Sequence, residues 1–306
     1  MNENAVKLEN PVDVEDLEID SRIYDLYDKY CHGFMSRRDF LKRASAITVA
    51  GVSGLTMAQA LFPRYAQAQT ISFTDERIKA TYVDYESPGG SSGEMRGYLV
   101  SPTSDGPHPS VIVIHENRGL NPYIEDVARR FATMGFLAIA PDGLSPVGGY
   151  PGNDDDGKIL QKSLDQTKLK TDMLNSAKFV QSHELSTGKL GSVGFCWGGG
   201  TTNYLATEMG DDLHAAVPFY GAPADADAIP NISAPLMIQS AEDDKRINAM
   251  WPDFETGLKE AGKDFVRHLY EGTGHGFHNN STPRFNKEAA ALAESRTMEF
   301  FKTHLS

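Results

Sequence analysis

Five nearly continuous apolar segments constrain this chain more than any other feature of its sequence. They read SVIVIHE (110–116), FLAIAPD (136–142), KLGSVGFC (189–196), HAAVPFYG (214–221) and APLMIQSAE (234–242). Strands of this composition are buried on both faces, which is typical of parallel sheets covered by helices. The intervening sequence predicts helices around residues 123–134, 158–182, 198–209, 249–261 and 286–302, with an exposed loop at 150–157.

Three further segments complete the predicted sheet. Residues 78–86 and 95–102 flank the turn-rich PGGSSG and predict an antiparallel pair, and FVRHLYEG (265–272) predicts a last strand. The sequence therefore predicts an α/β fold, a doubly wound, mostly parallel sheet of about eight strands flanked by helices. In such sheets ligands bind beyond the carboxyl ends of the strands.

The N-terminal part of the chain has the pattern of an export signal. Residues 36–43 read SRRDFLKR, a weakly apolar run follows, and Ala66-Gln67-Ala68 forms a small-x-small site. This pattern predicts a twin-arginine signal over residues 36–68 that the twin-arginine export machinery recognises. We expect cleavage after Ala68 and a periplasmic or secreted protein without a stable membrane span. A membrane anchor or an ordinary helix is the alternative. Residues 1–35 are an acidic extension without an assigned role, and residues 69–306 are predicted to form a single catalytic domain.

The charge balance and the motifs exclude several functions. With 29 Lys and Arg against 42 Asp and Glu, the formal net charge is −13, which argues against nucleic acid as a partner. A nucleotide fingerprint, a phosphate loop and a metal motif are not found. His275 and His278 lack a third ligand at suitable spacing for zinc, so we expect neither a metal nor another cofactor.

Cys196 lies where an apolar strand meets a predicted helix, within Gly194-Phe195-Cys196-Trp197-Gly198. This is the G-x-S-x-G nucleophile elbow with sulfur in place of the hydroxyl, because small flanking residues permit a strained turn that projects the nucleophile above the sheet. The helix N-terminus favours thiolate, and the N–H of Trp197 can donate to an oxyanion. The alternative is a glycine-rich turn with an inert buried cysteine.

Acids and histidines follow the last two strands of the predicted sheet. Asp244 lies in SAEDDKRIN, where Glu242 and Asp243 are rivals, and a carboxylate there can orient an imidazole. His275 lies in EGTGHGFHN, where flanking glycines let the loop return toward Cys196, and His278 is its rival. The order of nucleophile, acid and histidine is that of α/β-hydrolases. Glu116, which ends the third strand, supplies a second carboxylate or pairs with Arg118.

These motifs resemble those of the dienelactone hydrolase family. The resemblance covers roughly residues 78–306 and rests on HENRGL, APDG, GFCWGG, the EDD acid and GTGHGF in that order. The spacing also fits, with 48 residues from Cys196 to Asp244 and 31 residues from Asp244 to His275. It implies an α/β-hydrolase fold and a Cys-His-Asp triad, favouring Asp244 and His275 over their rivals. It also implies that Glu116 contacts the cysteine in the resting enzyme, and that the amides of Asn117 and Trp197 form the oxyanion hole.

One departure from the family concerns the substrate. The resemblance implies an arginine four residues beyond the catalytic histidine, and this chain has Asn279 there. The candidate substrate contacts are Arg118, Arg284 and Asn279. We therefore expect an exported carboxylic ester hydrolase that cleaves a small ester or lactone through an acyl-enzyme. The alternatives are a non-catalytic periplasmic binding protein on the same fold, and a thioesterase or acyltransferase with the same triad.

Overall fold

The computed structural model describes residues 19–31, 34–49, 52–62 and 64–306, in two compact units, Met1–Pro63 and Arg64–Ser306. Most of the acidic extension, residues 1–18, lies outside the described residues. The described parts of the first unit form helices α1 (Ser21–Cys31), α2 (Arg37–Ala44) and α3 (Gly54–Ala60), and an antiparallel pair of short strands, β1 (Thr48–Val49) and β2 (Val52–Ser53).

The predicted export motif lies on α2. Ser36 caps this helix by accepting a hydrogen bond from the N–H of Asp39 at 3.1 Å. Phe40 is fully buried in an apolar cluster that includes Ile23 and Tyr27 of α1, whereas the paired arginines at 37 and 38 are exposed. The first unit therefore buries the apolar side of the motif and leaves its arginines in solvent.

The second unit contains the large sheet and the remaining helices. Its strands are β3 (Ile78–Ser87), β4 (Gly93–Pro102), β5 (His108–Ile114), β6 (Leu137–Pro141), β7 (Ser186–Phe195), β8 (Ala215–Phe219), β9 (Leu236–Ala241) and β10 (Phe265–Tyr270). Its helices are α4 (Tyr65–Ala68), α5 (Pro122–Thr133), α6 (Asp154–Ser163), α7 (Gln166–Gln181), α8 (Trp197–Glu208), α9 (Lys245–Asn248), α10 (Trp251–Glu260) and α11 (Lys287–His304).

The strand order is β10-β9-β8-β7-β5-β6-β4-β3. β3 pairs antiparallel with β4, and β4 pairs antiparallel with β6, while the other neighbours are parallel. The predicted doubly wound, mostly parallel sheet of about eight strands is confirmed. All parallel strands end at one edge, which brings the residues that follow β5, β7, β9 and β10 to the same side of the unit.

The central strands are buried on both faces. Along β5, Val111 and Val113 pack in one apolar cluster with residues of α5 and α11, and Ile112 and Ile114 pack in a second cluster with residues of α7 and α8. This alternation follows from the two-residue period of a strand. Within the described residues, no helix has the length and apolar character that crossing a bilayer requires.

The predicted single helix over residues 158–182 is wrong. The chain forms α6 and α7 there, because the side chain of Asp165 accepts hydrogen bonds from the N–H groups of Thr167 and Lys168 and starts a second helix. The loop predicted at 150–157 is also too long. Asn153 caps α6, so the helix already begins at Asp154.

Candidate active site

Cys196 occupies a strained turn between β7 and α8. Its φ of 57° is positive, which is uncommon for a residue other than glycine and costs about 1–3 kcal/mol. Glycines on either side permit this turn. A Cβ at Gly194 would lie 2.1 Å from the carbonyl oxygen of Gly198, and one at Gly198 would lie 2.3 Å from that of Ile114. The nucleophile-elbow geometry is therefore present at Cys196.

His275 and Asp244 form a buried pair beyond the ends of β10 and β9. The imidazole Nδ1 lies 2.5 Å from Asp244 Oδ2, and the other oxygen of this carboxylate accepts the N–H of Ile247 at 3.2 Å as it caps α9. Burial raises the pKa of Asp244, but the hydrogen bond and charge of His275 outweigh it and hold that pKa below the usual range. The carboxylate is therefore ionised and holds a proton on Nδ1 of the imidazole.

The protonation of His275 depends on Cys196. Burial, the largest influence, lowers the pKa of His275, but the charge of Cys196 and hydrogen bonds with Asp244 and Cys196 raise it to about 9. The influence of Cys196 on this pKa means that the sulfur is close enough to the imidazole for their charges to interact. The structure thus pairs the predicted acid with the predicted histidine, and the charge of Cys196 acts on that histidine.

The rival residues lie elsewhere. Glu242 and Asp243 are exposed, whereas Asp244 is buried. His278 Nδ1 lies 2.8 Å from the hydroxyl oxygen of Tyr123, and burial lowers the pKa of His278 to about 3. His278 is therefore a neutral ring of the core.

Glu116 is a buried carboxyl on which the charge of Cys196 acts. Burial raises its pKa, the charges of Cys196 and Asp154 raise it further, and those of Arg118 and Arg284 oppose the shift. Asn279 Nδ2 donates to Glu116 Oε2 at 3.2 Å. The oxygen of the same amide accepts the N–H of Ser281 at 3.0 Å and its hydroxyl at 2.6 Å, which fixes the amide group toward Glu116.

His115 connects the loop after β5 to the elbow. Its Nε2 accepts the N–H of Gly143 at 3.1 Å, so its Nδ1 carries the proton and donates to the carbonyl of Glu116 at 2.6 Å. Burial lowers the pKa of His115, which keeps the ring neutral. The ring stacks on Trp197, with centroids 5.4 Å apart. The loop that bears Asn117 is therefore packed against the start of α8, where Trp197 lies.

The three candidate substrate contacts differ in their surroundings. Arg118 is buried and its Nη1 lies 2.8 Å from Asp154 Oδ2. Asn279 is only 2% exposed and is bonded to Glu116. The guanidinium of Arg284 lies against Gly276, 3.6 Å from the position that a Cβ would take there, and so faces the residue that follows His275.

Sequence reasoning did not single out His115, Asp154 and Ser281, which surround Glu116 and its loop. His115 directly precedes Glu116, and this adjacency was the available signal. Asp154 and Ser281 carry no local signal because they reach the site from distant parts of the chain. Among the described residues, no group of three or more His, Cys, Asp and Glu side chains is arranged to hold a metal ion.

Known proteins share both the sequence pattern and the fold. The model of the dienelactone hydrolase family matches residues 95–305, and a YqhI-like model matches residues 15–50. The chain is 57% identical over 117 residues to "Putative hydrolase fragment YghX" of Escherichia coli (strain K12), covering 38% of this chain and 99% of that protein. It is 30% identical over 256 residues to a "Putative carboxymethylenebutenolidase" of Saccharolobus solfataricus, covering 71% of this chain and 96% of that one.

A solved structure of the dienelactone hydrolase from Anabaena variabilis ATCC 29413 superposes with a TM-score of 0.59 at 19% identity. The superposition covers 76% of this chain and 100% of that structure. At this level of identity the likeness concerns the fold.

Proposed function

This chain belongs to the dienelactone hydrolase family, and from this we propose that it hydrolyses ester or lactone bonds with Cys196 as nucleophile. His275 acts as general base and acid, and Asp244 orients it. The observation that carries the proposal is the buried His275–Asp244 pair, whose imidazole has a pKa raised to about 9 in part by Cys196.

The proposed reaction proceeds through an acyl-enzyme. The thiol of Cys196 passes its proton to His275, which gives a thiolate and an imidazolium. The sulfur then bonds to the substrate carbonyl carbon, and the oxyanion accepts hydrogen bonds from the amides of Asn117 and Trp197. The C–O bond then breaks and the leaving alkoxide takes the proton from His275. Water, deprotonated by the same imidazole, attacks the thioester, and the acid leaves as the sulfur regains its proton.

Glu116 is proposed to control the ionisation of Cys196. Because the charge of Cys196 raises the pKa of Glu116, an ionised Glu116 equally disfavours the thiolate. A proton on Glu116 therefore accompanies the reactive form of the sulfur. The hydrogen bond from Asn279 holds this carboxyl in place.

The charges around the site favour a neutral acyl group. Arg118 is neutralised by Asp154, and the amide of Asn279 is bonded to Glu116, so neither resembles an anchor for a substrate carboxylate. Arg284 remains the candidate for that role. We expect Arg284→Gln to lower kcat/KM for carboxylate-bearing lactones while leaving neutral esters within about twofold, because a charged hydrogen bond contributes about 1.5–3 kcal/mol.

The activity is tested with the purified full chain on p-nitrophenyl acetate, a neutral lactone and a thioester. We expect Cys196→Ala to lose at least about 10³-fold in kcat/KM. Cys31→Ala, which changes the other cysteine of the chain, is the matched control. Turnover by Cys196→Ala equal to that of the parent would refute the triad.

The same panel separates the alternatives. A protein that binds these compounds without turnover is a binding protein, and preferential turnover of the thioester or transfer to an added alcohol indicates a thioesterase or acyltransferase.

We also propose export through the twin-arginine route, on the strength of the exposed arginines at 37 and 38. Cell fractionation tests it. The parent chain is expected in the periplasm, and a variant with both arginines replaced by lysine is expected to stay in the cytoplasm.

A further inference from the structure

Tyr65 connects two parts of the second unit that border the candidate active site. It lies on α4, upstream of residues 95–305 that match the family model. Its hydroxyl donates to Asp154 Oδ1 at 2.6 Å and accepts from Asn121 Nδ2 at 2.8 Å. Burial and the charge of Asp154 raise the pKa of Tyr65 well above its usual value, so the phenol remains a neutral donor.

Asp154 binds the middle of the loop after β5, residues 115–121, and Asn121 is the last residue of that loop. The second oxygen of Asp154 lies 2.8 Å from Arg118 Nη1, and Arg118 follows Asn117, the proposed oxyanion donor. Asn121 caps α5 by accepting the N–H of Ile124 at 3.2 Å. The hydroxyl of Tyr65 therefore joins the residue that binds the middle of this loop to the residue that ends it.

The same segment braces a second loop at the site. The N–H of Arg64 donates to the carbonyl of Ser281 at 2.7 Å, and Asn280 Nδ2 donates to the carbonyl of Ala68 at 2.7 Å. Ser281 in turn orients Asn279, whose amide holds Glu116. Residues 64–68, which we call the brace, thus contact both loops that meet at Glu116.

We propose that Tyr65 is a positioning residue for the hydrolytic reaction and that the brace is retained in the active enzyme. The inference rests on the proposed function, since it assigns Tyr65 to the loop that carries the proposed oxyanion donor. Without the hydroxyl, the amide of Asn121 loses its acceptor and Asp154 loses its shortest hydrogen bond. The loop then gains freedom, and a displaced oxyanion donor lowers the rate of the chemical step more than it weakens substrate binding.

The test compares Tyr65→Phe with Tyr85→Phe in the full chain. Tyr85 is the matched control because its buried hydroxyl bonds to Ser176 Oγ at 2.8 Å, away from the site. We expect Tyr65→Phe to lower kcat on p-nitrophenyl acetate about tenfold with KM within twofold, somewhat less than removal of an oxyanion donor. Tyr85→Phe is expected to keep the parent kcat even where both variants lose similar thermal stability. A loss of kcat in Tyr65→Phe without a change in KM, and without a matching loss of kcat in the equally destabilised Tyr85→Phe, distinguishes a positioning role from a structural one.

The outcomes separate this inference from the proposed function. An inactive Cys196→Ala together with a Tyr65→Phe of parental kcat overturns the inference alone. Turnover by Cys196→Ala overturns the proposed function and this inference with it.

N-terminal sequencing of the fully active enzyme is the second measurement. We expect the chain of the active enzyme to begin at or before residue 65. A fully active enzyme that begins at Gln69, as cleavage after Ala68 would leave it, overturns the inference.

Discussion

Replacing Cys196 by serine tests the contact on which the proposed triad depends. His275 has a pKa of about 9 against the ordinary 6.5 of a histidine, although burial alone would lower it. The difference of roughly 2.5 pH units corresponds to about 3 kcal/mol of added preference for the protonated ring. Cys196 is the largest of the influences that raise this pKa, and Asp244 is the next.

Serine has a side chain of similar size but does not ionise, so the variant removes the charge and leaves the hydrogen bond that His275 Nδ1 donates to Asp244. We therefore expect the pKa of His275 to fall by at least one unit, or about 1.4 kcal/mol, in Cys196→Ser. The sign follows from the charge: a thiolate stabilises the imidazolium, and a hydroxyl does not.

The measurement is an NMR titration of the histidine side chains from pH 5 to 10, with His275 assigned from the spectrum of His275→Gln. His278 is an internal control, because a pKa of about 3 keeps it neutral throughout this range in both proteins. A pKa of His275 in Cys196→Ser within about 0.3 units of the parent would mean that the sulfur and the ring do not interact. The proposed general base would then be wrongly assigned.

Three other predictions concern the surroundings of the site. The pKa of His278 falls from 6.5 to about 3 on folding, so the contribution of this neutral ring to the free energy of unfolding is full above pH 6.5. It is lost toward pH 3 at about 1.4 kcal/mol per pH unit. His278→Asn should flatten this slope in urea titrations at pH 4–6. A Cβ at Gly199 would lie 2.5 Å from the carbonyl oxygen of Phe219, whereas a Cβ at Gly200 would have no neighbour nearer than 3.5 Å. Gly199→Ala should therefore lower the free energy of unfolding by about 1–3 kcal/mol and remove most of the activity, while Gly200→Ala is tolerated. Thermal melts and ester turnover measure both effects. Asn279→Asp sets a second carboxyl against Glu116 and should raise the pKa of Glu116. Because the protonated Glu116 accompanies the reactive sulfur, the alkaline limb of the kcat/KM profile should shift upward by about one pH unit or more; an unchanged limb would exclude Glu116 from the rate-controlling ionisation.

Much of the catalytic unit could be predicted because its signals are local. The apolar runs become β5 to β9, since strands covered on both faces need apolar residues at successive positions. The turn at Cys196 could be predicted from Gly194 and Gly198, because a side chain at either position would collide with backbone. The resemblance to dienelactone hydrolases is likewise confirmed by the family match.

Local signals failed where a single side chain decided the outcome. The predicted helix over 158–182 divides because Asp165 caps a new helix, an effect that hydrophobic periodicity does not register. Asp243 and Asp244 are chemically alike and adjacent. Asp244 is the buried one that caps α9 and holds His275, and this depends on the direction in which the chain leaves β9.

By itself, the sequence determined the type of sheet, the elbow at Cys196 and the order of the reactive residue types, because periodicity and backbone sterics act between near neighbours. The tertiary structure pairs the acid and the histidine that the family resemblance favours, and it alone decided that Asn279 holds Glu116 and that Tyr65 joins Asp154 to Asn121. Those hydrogen bonds span 31 to 163 residues of chain. The packing of the whole sheet and its helices sets such distances, and no local pattern encodes them.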